Sequence, residues 1–277
     1  MKDVAVLLAG GKGTRLYPIS TEEKPKQFLP LLSNKPMIEE SIHRIEPIFN
    51  PDSIFINSIE KYKGFLKKQP YPVLFEPYGV GTTASVLFIV LELMRKYGDC
   101  MITLLPSDHY IKGEQEYREA IQKAQQISKE TETISLIGVK PDREETDFGY
   151  IKHFHGEVTG FKEKPDKEKA KEYIRNGYLW NSGIFVFKAS MMYELYRKLL
   201  KDVQQGFQFA HSKGFLDSYY RNIEIKPKAF EKAIIEKTNR LSVIPAEFVW
   251  SDIGDIKRYQ EIKTRERRGF RWAESRS

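Results

Sequence analysis

Short apolar runs rich in β-branched residues alternate along the chain with longer stretches of helical period. VAVLLAG, residues 4–10, has the length and side chains of a strand buried on both faces. In NKPMIEESIHRIEPIF the apolar positions Ile38, Ile42, Ile45 and Phe49 step by four, three and four, which predicts an amphipathic helix with Asn34 as its cap and Pro36 in its first turn. SIFIN and VLFEP predict a second and a third strand. TTASVLFIVLELMRKYG predicts a helix with Val86, Val90, Leu93 and Tyr97 on one side and Gly98 as its stop, and CMITLLPSDH a strand ending in polar residues.

The second half repeats this alternation less cleanly. A helix over 114–128 and a strand ISLIGV precede YIKHF and VTGFKEK, which suggest an antiparallel excursion. DKEKAKEYIRNG predicts a helix capped by Asp166 and ended by Gly177. The apolar run GIFVFK and a helix over 190–200 follow, then a poorly patterned region, 202–220, a helix KAFEKAIIEK, a strand RLSVIP and a turn VWSDIGD. Strands alternating with helices predict an open α/β sheet covered on both faces. No composition break or internal repeat divides residues 1–263, which read as one domain; 264–277 form a basic tail, TRERRGFRWAESRS, readable as a frayed terminus, a partner-binding arm or an expression remnant.

Composition narrows the range of partners. With 277 residues, 40% of them hydrophobic, the chain can bury a large core. The longest apolar run, 84–91, stops at Glu92, far short of a membrane span, and the N-terminus lacks a signal-peptide layout, so no membrane partner and a cytoplasmic location are expected. The single cysteine, Cys100, excludes an internal disulfide and a cysteine zinc cluster, and its place in CMITLL makes it a core residue. The net charge of +7 is interspersed with acids, as in KEKPDKEKAKEY, without a basic stripe carrying aromatics; a small anionic ligand is expected, and nucleic acid is not.

MKDVAVLLAGGKGTRLYPISTEEKPKQFLPLL gathers glycines, Arg15, Lys24 and Lys26 behind the first strand, a set suited to phosphate. It fails the P-loop test, because Gly11 and Lys12 are followed by Gly13 and the metal-binding hydroxyl is misplaced. It fails the dinucleotide test as well: Leu16 stands at the third glycine. LLAGGKGTRLYPIS with KPKQFLPLL instead resembles the signature of the sugar-phosphate nucleotidyltransferases, G-x-G-T-R-x-x-P-x-[ST] followed by P-K, and its PKQF form is most similar to the mannose-1-phosphate guanylyltransferase branch. LLPSDHYI, ETDFGYI, FKEKPD, LWNSGIFVF and FVWSDIGD resemble that family's further motifs in the same order, across nearly the whole chain.

The resemblance implies a Rossmann-like α/β fold of the nucleotide-diphospho-sugar transferase type: a mixed, mainly parallel central sheet, helices on both faces and a small antiparallel sugar-binding excursion. It implies transfer of a nucleotidyl group from a nucleoside triphosphate to a sugar 1-phosphate with release of pyrophosphate. GTP with mannose 1-phosphate is the leading pair. Glucose 1-phosphate with UTP or dTTP is the near alternative, and a catalytically silent sugar-nucleotide sensor the rival of another class. A phosphate oxygen attacks the α-phosphorus in line, so the protein mainly orients two polyanions and screens their repulsion. Arg15, Lys26 and Asp108 are implied as catalytic. Leu8, Ala9, Gly10, Gly11, Gly13, Thr14 and Arg15, with Pro106, Ser107 and Asp108, are implied for the nucleotide. Gly149, Tyr150, Glu163, Lys164 and Asn181 are implied for the sugar phosphate, and Asp108 and Asp252 for Mg²⁺.

Plain structural roles compete with these. Asp108 could cap a helix, Asp252 could shape a turn, and Glu163 and Lys164 could be a solvated strand end. His153 and His155 share one face of a strand in this reading and could suggest a metal pair, but with no third ligand near they read as surface residues. The chain also departs from the family pattern: Val80 and Gly81 stand at its Arg-Asn positions, Ala84 at a proline, Asp147 at a glycine and Glu231 at an aspartate. Choice of base and sugar therefore stays open. Ser277 arrives without the β-helix or isomerase domain of many relatives, which leaves a homodimer through the catalytic domain as the open assembly.

Overall fold

The computed structural model describes residues 1–267. β1 (Lys2–Leu8) is the buried first strand; Val4 and Val6 enter one apolar core while Ala5 and Leu7 enter another. Alternate side chains of one strand thus feed cores on opposite faces, as a sheet covered on both sides requires. α1 (Met37–Ile45), β2 (Ile54–Ile59), the short α2 (Lys63–Leu66), β3 (Val73–Glu76), α3 (Thr82–Tyr97) and β4 (Cys100–Pro106) follow. β1 pairs in parallel with both β2 and β4, and β2 with β3, giving the order β3-β2-β1-β4. The chain steps outward from β1 and then returns to its other side, so the carboxyl ends of β1 and β4 flank a topological switch point, where such sheets bind ligands.

β5 (Tyr110–Lys112), α4 (Glu114–Thr131), β6 (Ile134–Val139), β7 (Gly149–Phe154), β8 (Glu157–Glu163), α5 (Lys167–Arg175) and β9 (Leu179–Lys188) extend the molecule. α6 (Ala189–Leu199), α7 (Lys201–Ser212), α8 (Leu216–Asn222), α9 (Phe230–Ala233), β10 (Leu241–Ala246), β11 (Val249–Ser251) and α10 (Ile256–Arg267) complete it. The sheet continues β4-β9-β6-β10-β8-β7, with β9 antiparallel to both β4 and β6, and β7 with β8 as the antiparallel excursion. The fold is the expected mixed α/β sheet. Asp166 caps α5 by accepting from the Lys169 amide at 2.9 Å, and Gly98 ends α3 with φ +70°, both as expected.

Several elements differ from expectation. α1 starts at Met37 with no side-chain cap; Asn34 plays no such part, because the preceding turn is held by Ser33 accepting from the Lys35 amide at 3.0 Å. The unpatterned stretch 202–220 is mostly α7 and α8, whose period is blurred by the exposed Phe209 and Phe215 beside the buried Phe207. KAFEKAIIEK forms only the short α9 and a 3-10 turn, since a break at Ile234 lets Ile234 and Ile235 both face the core. VWSDIGD begins as β11, paired antiparallel with β5. His155 and Gly156 form the β7–β8 turn, both at positive φ, so His153 and His155 do not share a strand face. α10 runs through Thr264 to Arg267, so the expected tail begins inside a helix, and its residues 268–277 lie outside the described residues. No helix of the described residues is long and apolar enough to cross a membrane.

Candidate active site

The glycine loop leaves β1 at the switch point and is held by its neighbours rather than by its own side chains. Ala9 oxygen accepts from Gln27 Nε2 and from Ser58 Oγ, each at 3.0 Å, and Gly11 oxygen accepts from Gln27 Nε2 at 2.8 Å. Ser107 Oγ donates to Leu8 oxygen at 2.6 Å, tying the β4 end to the β1 end. Gly13 sits at φ +65°, and a Cβ there would lie 2.8 Å from the Lys26 amide nitrogen. Only glycine permits that approach. Thr14, Arg15 and Leu16 form a 3-10 turn in which Leu16 is buried while Arg15 and Thr14 are exposed.

Lys26 and Arg15, similar on paper, occupy opposite environments. Lys26 is 7% exposed, and its Nζ lies 3.0 Å from Asp108 Oδ2, 2.8 Å from Asp252 oxygen and 3.3 Å from Ile253 oxygen. All three ammonium donors are engaged. Arg15 has no ion-pair partner among the described residues, which leaves its guanidinium free for an anion. Burial would raise the Asp108 carboxyl, but the charges of Lys26 above all, with that of Arg15 adding, hold it below the usual carboxylate range. His109 is pushed down to about 4, mainly by burial, and its Nδ1 accepts from Trp250 Nε1 at 3.0 Å, so the neutral ring carries its proton on Nε2, 3.9 Å from Asp108 Oδ1.

Asp252 follows β11 in a strained turn: Ile253, a β-branched residue, has φ +45°. That conformation aims two successive carbonyls at Lys26. The Asp252 carboxylate accepts from the Gly254 amide at 3.0 Å and from Arg258 Nη1 at 3.0 and 3.2 Å, so Oδ1 is satisfied twice and Oδ2 keeps a lone pair. Among the described residues no group of three or more His, Cys, Asp or Glu could hold a metal. Lys26 meets the Asp108 carboxylate but only the backbone carbonyl of Asp252, whose carboxylate is turned to Gly254 and Arg258; each carboxylate is the kind of donor a hard cation takes when it completes its shell with water and phosphate oxygens.

The sugar-side residues converge through β7, β8 and β9. A Cβ on Gly149 would stand 2.7 Å from Glu163 Oε2 and 3.3 Å from Asn181 Cβ, so the glycine leaves room for both side chains to approach the backbone there. Glu163 and Asn181 are 5% and 7% exposed. Lys164, at φ +51°, pairs with Glu163 at 2.9 Å; burial works against its charge, but Glu163 raises its pKa above the usual lysine value. Glu231 is pushed up to about 7, by burial first and by the charge of Glu163 next. Tyr150 is fully buried, and its hydroxyl donates to Glu145 oxygen at 2.9 Å and accepts from the Glu145 amide at 3.1 Å, which orders the loop before Gly149.

Beside the glycine loop opens a cavity of about 340 Å³ lined by Gly10, Gly11, Glu76, Val80, Gly81 and Ser85 among others. Glu76, at the end of β3, is 1% exposed and accepts from Tyr220 Oη at 2.8 Å. Burial pushes its carboxyl up to about 7 against the pull of Ser85, Tyr220 and Asn57. Sequence reasoning passed over Glu76 although EPYGVG contains it, and passed over Gln27 inside PKQF. Glu145 also went unnoticed although it opens ETDFGYI, and nothing in the local pattern of Arg258 marks it.

The sequence profile of the nucleotidyl transferase family matches residues 4–268. The xanthan biosynthesis protein XanB of Xanthomonas campestris pv. campestris is 32% identical over 97% of this chain and 61% of its own length. A mannose-1-phosphate guanylyltransferase of Klebsiella pneumoniae is 30% identical over 95% of this chain and 60% of its own. The chain thus spans about three fifths of these curated relatives. A crystal structure from Thermus thermophilus, described as mannose-1-phosphate geranyltransferase, superposes with a TM-score of 0.86 at 31% identity, covering 95% of this chain and 79% of that one.

Proposed function

The chain belongs to the nucleotidyl transferase family, and from that premise we propose that it transfers a guanylyl group from GTP to mannose 1-phosphate, forming GDP-mannose and releasing pyrophosphate. The observation that carries the reading is the Asp108–Lys26–Asp252 knot at the switch point, with an unpaired Arg15 on one side and the Glu163–Asn181 pair on the other. In this reading the backbone of residues 8–13 and 106–107 receives the nucleotide, and Arg15 neutralises charge on the departing pyrophosphate. Lys26 keeps a fixed positive charge at the reacting phosphates. Asp108 and Asp252 would hold Mg²⁺, which when bound screens the phosphates from each other. Glu163 accepts hydrogen bonds from ring hydroxyls, Asn181 donates and accepts, and Lys164 pairs with the sugar phosphate.

Glu76 supports guanine as the base. An ionised carboxylate in the cavity accepts from the adjacent N1–H and N2–H₂ of guanine, whereas uracil and thymine offer one N–H flanked by two carbonyl oxygens that repel it. Pyrophosphate release from a panel of triphosphates and sugar 1-phosphates tests the whole reading. Turnover is expected with GTP and mannose 1-phosphate, and E76Q should reduce the preference for GTP over UTP by about tenfold or more. Absence of release from every pair would refute it.

A further inference from the structure

We propose that Arg258 is a positioning residue that ties the loop before the sugar site to the turn carrying Asp252, keeping the two substrates in register for in-line attack. This rests on the nucleotidyl-transfer reading above. Arg258 lies in α10 and is 6% exposed. Its donors are divided between two segments: Nη1 serves the Asp252 carboxylate at 3.0 and 3.2 Å, and Nη2 reaches Glu145 Oε2 at 2.6 Å and Asp147 Oδ2 at 3.5 Å. Nε lies 3.4 Å from Asp255 Oδ2, and the guanidinium stands 4.8 Å from the Phe148 ring centre. Pairing with Asp252 alone would leave half of this fork unused.

Both ends of the bridge lead into the site. Glu145 is fixed by Arg143 Nε at 2.7 Å and by the Tyr150 hydroxyl at its backbone, and the loop then runs directly into Gly149 beside Glu163 and Asn181. At the other end, Asp252 accepts through its carbonyl from Lys26, which pairs with Asp108. A continuous polar path therefore joins Tyr150 to Asp108, and Arg258 is the member at which it crosses from one segment to the other. Four carboxylates surround this one guanidinium, Asp147 and Asp255 half-exposed and Glu145 and Asp252 largely buried, so its loss leaves the two buried like charges, one on each segment, without their counter-ion and drives loop and turn apart. A lysine keeps the charge but cannot serve Asp252 and Glu145 in one plane.

The test uses the full chain with R258M, R258K and E145Q. We expect the KM for mannose 1-phosphate to rise about tenfold or more in R258M and E145Q, with partial rescue in R258K; in E145Q, which leaves the Asp252 turn paired, the KM for GTP stays within about threefold. Hydrogen exchange without substrate should show amides of residues 142–148 and 250–254 losing protection together in R258M. Equal rises in both KM values in E145Q would mark a merely structural role and overturn the proposal, as would unchanged exchange in either segment in R258M. Should R258M fail to fold, E145Q, which leaves Arg258 paired with Asp252 and Asp255, decides by the same sugar-selective KM. If the unaltered protein releases pyrophosphate from no pair, the nucleotidyl-transfer reading fails, and the paired exchange response still decides whether Arg258 links the two segments.

Discussion

Gly13 shows how far one residue controls the nucleotide side. Its positive φ and its 2.8 Å approach to the Lys26 amide mean that Gly13→Ala must push the glycine loop away from the segment that carries Lys26. A displacement of that order costs about a hundredfold in kcat/KM with little change in secondary structure, measurable by steady-state kinetics beside circular dichroism. This site was legible because glycines, Arg15 and Lys26 lie in one contiguous stretch with a recognisable spacing. Glu76 and Arg258 were not, since each acquires its meaning from partners far away in sequence: Tyr220 for Glu76, and Glu145 for Arg258. An isolated carboxylate or guanidinium in a sequence reads by default as solvated surface. Tyr150 likewise takes its hydroxyl partner from the loop before it, Glu145, which the motif alone does not announce.

At the scale of elements, the strands and long helices were legible from apolar period alone, and the failures share one cause. α7 and α8 expose Phe209 and Phe215, α9 breaks to bury neighbouring isoleucines, and β11 exists only because β5 lies beside it. In each, tertiary packing overrides the local pattern. α10 is the same kind of element. With an apolar face limited to a few residues such as Ile262, it is held partly by polar contacts: Glu266 pairs with Lys112 at 3.4 Å and accepts from the Tyr110 hydroxyl. Ending the chain after Lys263 removes these contacts with β5. A loss of about 1 kcal/mol should lower Tm by about 2 °C, read by calorimetry. An unchanged Tm would mean that the helix end contributes nothing to holding β5.

Across the whole molecule, the buried acids make stability respond to pH in an unusual sense. Glu76 and Glu231 are both pushed from 4.5 up to about 7, so the folded chain binds protons that the unfolded chain has released. Their contribution is complete below about pH 4.5 and is lost as pH rises through about 7. His109 opposes them, since its depressed value near 4 means that the folded state stays neutral where the unfolded ring, at 6.5, takes up a proton. Two carboxyls against one imidazole leave a net fall in stability between about pH 5 and about pH 7, and above that range the imidazole no longer compensates. Tm measured without ligand should therefore decline across this interval, and E76Q should flatten the decline. Guanine adds the decisive step, because only the ionised Glu76 accepts both of its donors. GTP should then bind the unaltered protein more tightly as pH rises through about 7, beyond the change produced by its own phosphates, while E76Q should show only the phosphate-dependent part. Identical pH profiles for the two proteins would remove Glu76 from contact with the base.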